Sequence, residues 1–187
     1  MEIVDAAAMR ALAHPLKWDL LDALLTEGAA TSTRCAELVG DSQANCSFHL
    51  RQLARYGLVE RAPTTSKRDR PWRLATVDQS WSRLQPDESR SRAAAELERV
   101  FVQHEVAKLM RWVRSASTYG EDWRRAALGS GSQTWLTPDE LADLGKRLNE
   151  VLLTYRDRLT DPTMRPAGSR PVRLYAVGYP LPDDGPE

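Results

Sequence analysis

TSTRCAELVGDSQANCSFHLRQLARY, residues 31–56, is the stretch whose reading decides the rest of the chain. It predicts two short helices split by a tight turn. Thr31 offers a hydroxyl that accepts a hydrogen bond from an orphan amide at the start of the first helix. Gly40 closes that helix as the residue that tolerates a left-handed backbone. Asp41 or Ser42 then caps the second helix, in which Cys46, Leu50 and Leu53 recur at helical spacing and face inward. Gln43, Asn45, Ser47, His49, Arg51 and Gln52 are left on or near the other side. That face is polar, rich in hydrogen-bonding groups and mildly basic, which suits the major groove of DNA, where amide and guanidinium groups read base edges and hydroxyls reach phosphates.

A helical hairpin with a solvated polar surface would show the same pattern, and a helix-turn-helix spacing alone is a weak signal. The residues after Tyr56 sharpen the reading. Gly57-Leu58-Val59-Glu60-Arg61-Ala62 leaves the second helix as an extended run, and Pro71-Trp72-Arg73-Leu74-Ala75 is another. Between them lies Pro63-Thr64-Thr65-Ser66-Lys67-Arg68-Asp69-Arg70, a polar loop with three cations. Strand, basic loop and strand make a β-hairpin whose tip can lie along a phosphate backbone.

The order resembles the winged helix-turn-helix domain of the ArsR/SmtB family of bacterial transcription regulators. The resemblance spans about Met9 to Ala75 and is carried by Ala11-Leu12-Ala13-His14-Pro15-Leu16, Leu20-Leu21-Asp22-Ala23-Leu24, Ser47-Phe48-His49-Leu50-Arg51-Gln52-Leu53 and Tyr56-Gly57-Leu58-Val59. It implies a homodimeric repressor or activator that reads an inverted-repeat operator, often under ligand control. On this reading Gln43, Asn45, Ser47, His49 and Arg51 read or position on bases and backbone. Ser42 and Arg55 contact phosphates, and Lys67, Arg68 and Arg70 grip the flanking backbone. Phe48 fits either a place under the wing or contact with a thymine methyl group.

Composition sets bounds around this. At 187 residues and 42% hydrophobic content the chain can bury one good core, or one small domain plus an oligomerisation element. A formal net charge of zero argues against a strongly basic, nonspecific nucleic-acid coat. Locally the balance differs, because Arg34 to Arg73 carries eight cations against four acids. No apolar run approaches the roughly 20 residues of a bilayer span, and the N-terminus lacks a signal pattern, so a cytoplasmic protein is expected. Cys35 and Cys46 sit at core-facing positions and read as buried, reduced thiols.

Taken in order, Val4 to Ala13 predicts an alanine-rich helix that His14-Pro15 breaks, and Leu16 to Leu25 predicts a scaffold helix with Leu16, Leu20, Leu21 and Leu24 on one face. Thr76 to Asp87 is a polar link. Glu88 to Ser115 predicts the longest helix. Its apolar residues fall on more than one face, Val102, Val106, Leu109 and Val113 among them, so it needs both its own domain and a partner subunit to pack against. Most of the homodimer interface is therefore assigned to Glu88–Ser115, and the family resemblance implies that Val4–Ala13 packs across the dimer axis as well. Beyond about Tyr119, Thr137-Pro138-Asp139-Glu140 is a strong helix start for a helix to about Leu159, and Ser132 to Leu136 and Val172 to Val177 read as a pair of strands. The fold class is mainly α with a small β wing: a winged helix-turn-helix domain (1–78), a linker and long dimerisation helix (79–118), and a small α+β C-terminal unit (119–187). Trp112, Trp123, Trp135, Tyr155 and Tyr175 are read as packing of that unit, the competing reading being a pocket for an apolar effector.

Other chemistries fit less well. A thiolate metal sensor needs paired cysteines before the turn, where Thr31, Ser32 and Thr33 stand with Cys35 alone. An imidazole and carboxylate sensor needs an acid and two histidines along the long helix, which has His104 with Glu105. No metal or cofactor is expected, and a regulator responding to redox or metal through Cys46 or His104 is kept as an alternative. No Gly-rich phosphate loop, G-x-S-x-G or H-E-x-x-H motif occurs, so the chain is not read as an enzyme. A winged helix that binds a protein partner is the remaining class.

Overall fold

The structure, a computed structural model, describes residues 2–64, 70–76 and 80–182. The chain divides into two compact units, Met1–Ala116 and Ser117–Glu187. The first holds helices α1 (Ala6–Leu12), α2 (Pro15–Glu27), α3 (Ser32–Val39), α4 (Gln43–Arg55) and α5 (Glu88–Ser115), with short strands β1 (Ala29–Ala30), β2 (Val59–Arg61) and β3 (Trp72–Leu74). It is mainly helical, with a three-stranded antiparallel sheet in the order β1-β3-β2.

Four helices of the first unit, α1, α3, α4 and α5, start where a side chain takes up orphan backbone amides. The Asp5 carboxylate accepts from the amides of Ala7 and Ala8, the Thr31 hydroxyl from that of Arg34, Ser42 from that of Asn45, and Asp87 from that of Arg90. Pro15 stands in the first turn of α2, where its missing amide costs nothing. Gly40 ends α3 at φ 70°, and its amide and that of Asp41 both donate to the Ala36 carbonyl. A side chain at that φ is strained, so the sharp reversal from α3 into α4 needs glycine there.

The core of the first unit gathers Met9 and Leu12 from α1, Leu20 and Leu24 from α2, Cys35 from α3, Cys46, Leu50 and Leu53 from α4, Leu58 and Val59 at β2, and Leu97 from α5, all essentially without solvent exposure. The N-terminal half of α5 packs on α1 and buries Ala93, Ala94, Leu97 and Val100. The segment before α5, expected as a plain polar link, is tied down. Ile3 donates to the Ser80 carbonyl at 2.7 Å, and Trp81 sits edge-on to Phe101, which lies 4.8 Å from Trp18. The expected helices appear with shifted ends: Val4 to Ala13 narrows to Ala6–Leu12, and Leu16 to Leu25 widens to Pro15–Glu27. Strand β1 has no counterpart in the sequence pattern. Two alanines give no alternation, and they are a strand only because Ala29 pairs with Arg73 and Ala30 with Trp72.

In the second unit α6 (Glu121–Ala126), α7 (Pro138–Leu153) and α8 (Asp157–Thr160) are followed by a 3-10 turn at Pro162–Met164. The helix start at Thr137 is formed as a full capping box: the Thr137 hydroxyl accepts from the Glu140 amide at 3.2 Å, and the Glu140 carboxylate accepts from the Thr137 amide at 2.8 Å. The expected pair of strands is not there. Ser132 to Leu136 and Val172 to Val177 carry no ladder, so this unit is helical with irregular segments. An isolated two-stranded pair is marginal in water, and here the tail lies on a helix instead: a Cβ placed on Gly178 would meet Leu141 Cδ1 at 3.1 Å. No described residue from Ser117 to Pro182 is buried. Trp135 is 92% exposed and Tyr155 59%, so the aromatics there form no core.

Leu97→Ala is expected to lower the stability of the first unit by about 2–5 kcal/mol in urea denaturation, the usual cost of a cavity at a fully buried leucine. A loss well under about 1 kcal/mol would mean that α5 does not belong to this core.

Candidate nucleic-acid interface

Successive residues on a helix turn by about 100°, and burial along α4 follows that rotation. Cys46, His49, Leu50 and Leu53 are buried. Ser42, Gln43, Ala44, Phe48, Arg51 and Arg55 are exposed, with Asn45, Ser47 and Gln52 half-buried. Gln43, Ser47, Arg51 and Arg55 therefore stand in one strip of i, i+4 neighbours. These four predicted residues are brought together by the helix itself. Phe48 is 49% exposed, with its ring edge-on to that of His49.

Two predicted residues, Asn45 and His49, are placed differently. Asn45 is turned back on the cap, its side-chain amide donating to both oxygens of Asp41 at 3.1 Å. That hydrogen bond, with the Ser42 amide, holds the Asp41 carboxyl below its ordinary range. Ser42 is the cap that the pattern offered, its hydroxyl oxygen accepting from the Asn45 backbone amide at 3.1 Å. His49, expected on the outward face, is buried, 7% exposed. Its position sits at the edge of the apolar arc, and the His14 ring closes over it at a centroid distance of 4.4 Å. Its Nδ1 is buried without a partner.

The hairpin carries the other predicted cations. Arg70 is exposed, whereas Lys67 and Arg68 lie outside the described residues. Two hairpin arginines that the sequence pattern does not single out have defined places. Arg73 pairs with Glu60 at 2.6 Å across the β2–β3 ladder. Arg61, opposite Trp72 in the same ladder, lies with its guanidinium carbon 3.5 Å from the Trp72 ring centroid and donates to the Arg70 carbonyl. Strand alternation was the available signal, since it sets Arg61 and Glu60 on opposite faces. Trp72 is buried, and its indole N–H donates to the Ser32 hydroxyl at 3.2 Å, which fastens the hairpin to α3.

The metal and redox alternatives meet specific obstacles. His104 Nε2 and Lys108 Nζ both lie 2.7 Å from the same oxygen of Asp22, so an ammonium already occupies the acceptor a metal would need. Burial pushes the Asp22 carboxyl up, but the hydrogen bonds from His104 and Lys108 outweigh it and hold the group below its usual range. Among the described residues no group of three or more potential ligands converges. Both thiols are buried. Burial, helped by the neighbouring Cys46, pushes the Cys35 thiol up to about 11, and burial also raises that of Cys46. A buried, protonated thiol is a poor nucleophile. Ellman's reagent is accordingly expected to leave Cys35 and Cys46 unmodified in the native protein and to react with both after denaturation; rapid native labelling of Cys46 would restore a redox role.

His49 gives a pH signature. Burial disfavours its imidazolium, His14 and Lys17 repel it, and Asp41 offsets this in part, leaving the pKa below the ordinary histidine value. The folded state thus takes up this proton less readily than the unfolded chain. Its contribution is complete above the ordinary value of about 6.5 and is lost as pH falls from there toward the depressed folded value. The expected outcome is unfolding free energy that declines from about pH 6.5 downward, with a shallower decline in His49→Gln; identical slopes in the two proteins would count against it.

Compared with known proteins, the chain has no match among curated sequences. Residues 12–62, which run from the end of α1 through β2 and hold the whole α3–Gly40–α4 unit, match the helix-turn-helix domain family.

Proposed function

We propose that the protein is a sequence-specific DNA-binding transcription regulator of the ArsR type, acting as a homodimeric repressor at an inverted-repeat operator in the cytoplasm, without catalytic activity of its own. The observation that carries this is the outward strip of exposed Gln43, Arg51 and Arg55 with half-buried Ser47, on a capped helix that follows a glycine turn, within a segment matching a helix-turn-helix domain. Among the described residues no helix is long and apolar enough to cross a membrane.

The dimer is supported by α5. Its N-terminal half is used up against α1, but Val106, Leu109, Met110 and Val113 farther along are each about half exposed, at spacings of three, four and seven residues. Such a face suits a second copy of the same helix. Val4, 58% exposed just before α1, would add to it. Paired subunits would present two α4 helices to successive major grooves, with half-sites one turn of about 10–10.5 base pairs, or a whole number of turns, apart. A non-metal effector would act by shifting that spacing. The exposed Phe48 keeps one other reading in view, a winged helix whose groove holds a protein partner.

Selection of random duplexes with the purified protein, repeated with added metal and with chelator, tests the proposal. The expected result is a palindrome whose enrichment is indifferent to metal, and Gln43→Ala should then lose about 1–3 kcal/mol of discrimination at one base position of each half-site. No enriched sequence, with a stoichiometric protein partner co-purifying, would replace DNA by the protein-partner reading.

A further inference from the structure

A cleft of about 440 Å³ opens between α2, α3 and α5, within the size range of small-molecule sites. Its walls differ in character. Asp19, Asp22 and Glu27 supply carboxylates from one side of α2, Leu38 and Val39 in the last turn of α3 supply an apolar side, and Arg111 of α5 supplies a guanidinium. These charges do not neutralise one another. Asp22 meets His104 and Lys108 through Oδ2 alone, and among the described residues no hydrogen bond reaches its Oδ1. Asp19 comes within 3.7 Å of His104 Nδ1, and Glu27 is held by Arg34 at 3.4 Å. Arg111 lines the same cleft but lies outside ion-pair distance of all three carboxylates.

Opposite charges facing each other across a gap are completed by a ligand that carries both signs, each end making a charge-assisted hydrogen bond. A purely cationic ligand would meet Arg111, and a purely anionic one the acids of α2. A divalent cation fits less well still, since among the described residues no group of three or more potential metal ligands gathers.

The cleft is also placed to act at a distance. Arg111 follows Lys108 by three residues and His104 by seven, so it stands on the side of α5 that meets α2. Val106, Leu109, Met110 and Val113 lie on the other side, because successive residues turn by about 100°. Two copies paired through that apolar face would leave the cleft open. The α3 wall ends directly before Gly40, so a ligand seated against it bears on the reversal that leads into α4.

We propose that this cleft is an effector site whose ligand is an amino acid with an apolar side chain. The ammonium group sits on Asp19 and Asp22, the carboxylate on Arg111, and the side chain against Leu38 and Val39. This rests on the reading of the protein as a DNA-binding regulator and deepens it, giving the effector a place and a chemical class. Occupancy ties the end of α3 to α5 and alters duplex affinity through the Gly40 turn, and the duplex must alter ligand affinity by the same factor.

Calorimetric titration of the full chain with L-leucine, L-methionine and L-phenylalanine tests the site, each alongside the amine that lacks its carboxylate and the acid that lacks its ammonium group. At least one of the three is expected to bind with a Kd of about 1 mM or tighter, and its two analogues about tenfold more weakly or worse. Arg111 is exposed, so R111Q probes the site without disturbing the core. R111Q and D19N should each weaken binding about tenfold with an unchanged circular dichroism spectrum, and R111K should recover part of the loss. Absence of binding by all three overturns the proposal, as does equal binding of an analogue that lacks one charge, or binding that R111Q and D19N both leave intact. Duplex affinity measured with and without the bound amino acid is expected to change by about 5–150-fold, and an unchanged affinity overturns the effector role. A chain that binds no duplex in either state sinks the DNA reading while the calorimetry still decides the cleft; normal duplex binding with no amino acid bound sinks this inference only.

Discussion

The reversal at Gly40 is the constraint on which the first unit depends. With α3 stopped by a left-handed residue and α4 started by Ser42 two positions later, the chain reverses between the two helices, and Cys35 and Cys46 are both buried in the core. That reversal leaves Gln43 and Arg51 outward while Leu50 and Leu53 are buried and α4 packs on α2. A continuous helix would have spread these residues along a rod and left no edge to project. The local cost of a left-handed turn, negligible for glycine and on the order of 1 kcal/mol or more for other residues, is what separates those outcomes.

Much of this was legible because local signals agreed. Thr31, Gly40, Ser42 and the Cys46-Leu50-Leu53 spacing each name the same boundaries, and the structure has them where the pattern puts them. The hairpin strands and the extent of α5 were equally open to reading. What failed depended on particular side-chain partners that spacing does not name. His49 sits at the edge of an apolar arc where periodicity cannot decide, and a ring from His14, thirty-five positions earlier, closed over it. Asn45 looked free until Asp41 claimed it. In the second unit, residues with strand-like composition had no ladder to join and stayed irregular. Arg61 reads locally as one more charge, because nothing nearby in sequence says that its neighbour across the ladder is a buried tryptophan.

The scaffold beneath the interface is partly polar. Asp22 on α2 gathers His104 and Lys108 from α5, with the buried Glu105 3.8 Å from Lys108. Lys17, also buried, spends its ammonium on the Ala11 carbonyl at the end of α1. Buried ionic groups of this kind add little net stability but are costly to break one partner at a time, so they favour one arrangement of helices over its near neighbours. Here they fix the register between α2, on which α3 and α4 rest, and α5, which carries the half-exposed apolar face. The helix that would join two subunits is thus keyed to the helix that supports the outward strip of α4.

The absence of buried residues among those described beyond Ser117 has a calorimetric consequence. Heat capacity of unfolding and denaturant sensitivity both scale with the surface newly exposed to solvent, and the final third of this chain already has its side chains largely hydrated. The protein should therefore unfold with the thermodynamic size of its first 116 residues, as though the remainder were carried along without being counted.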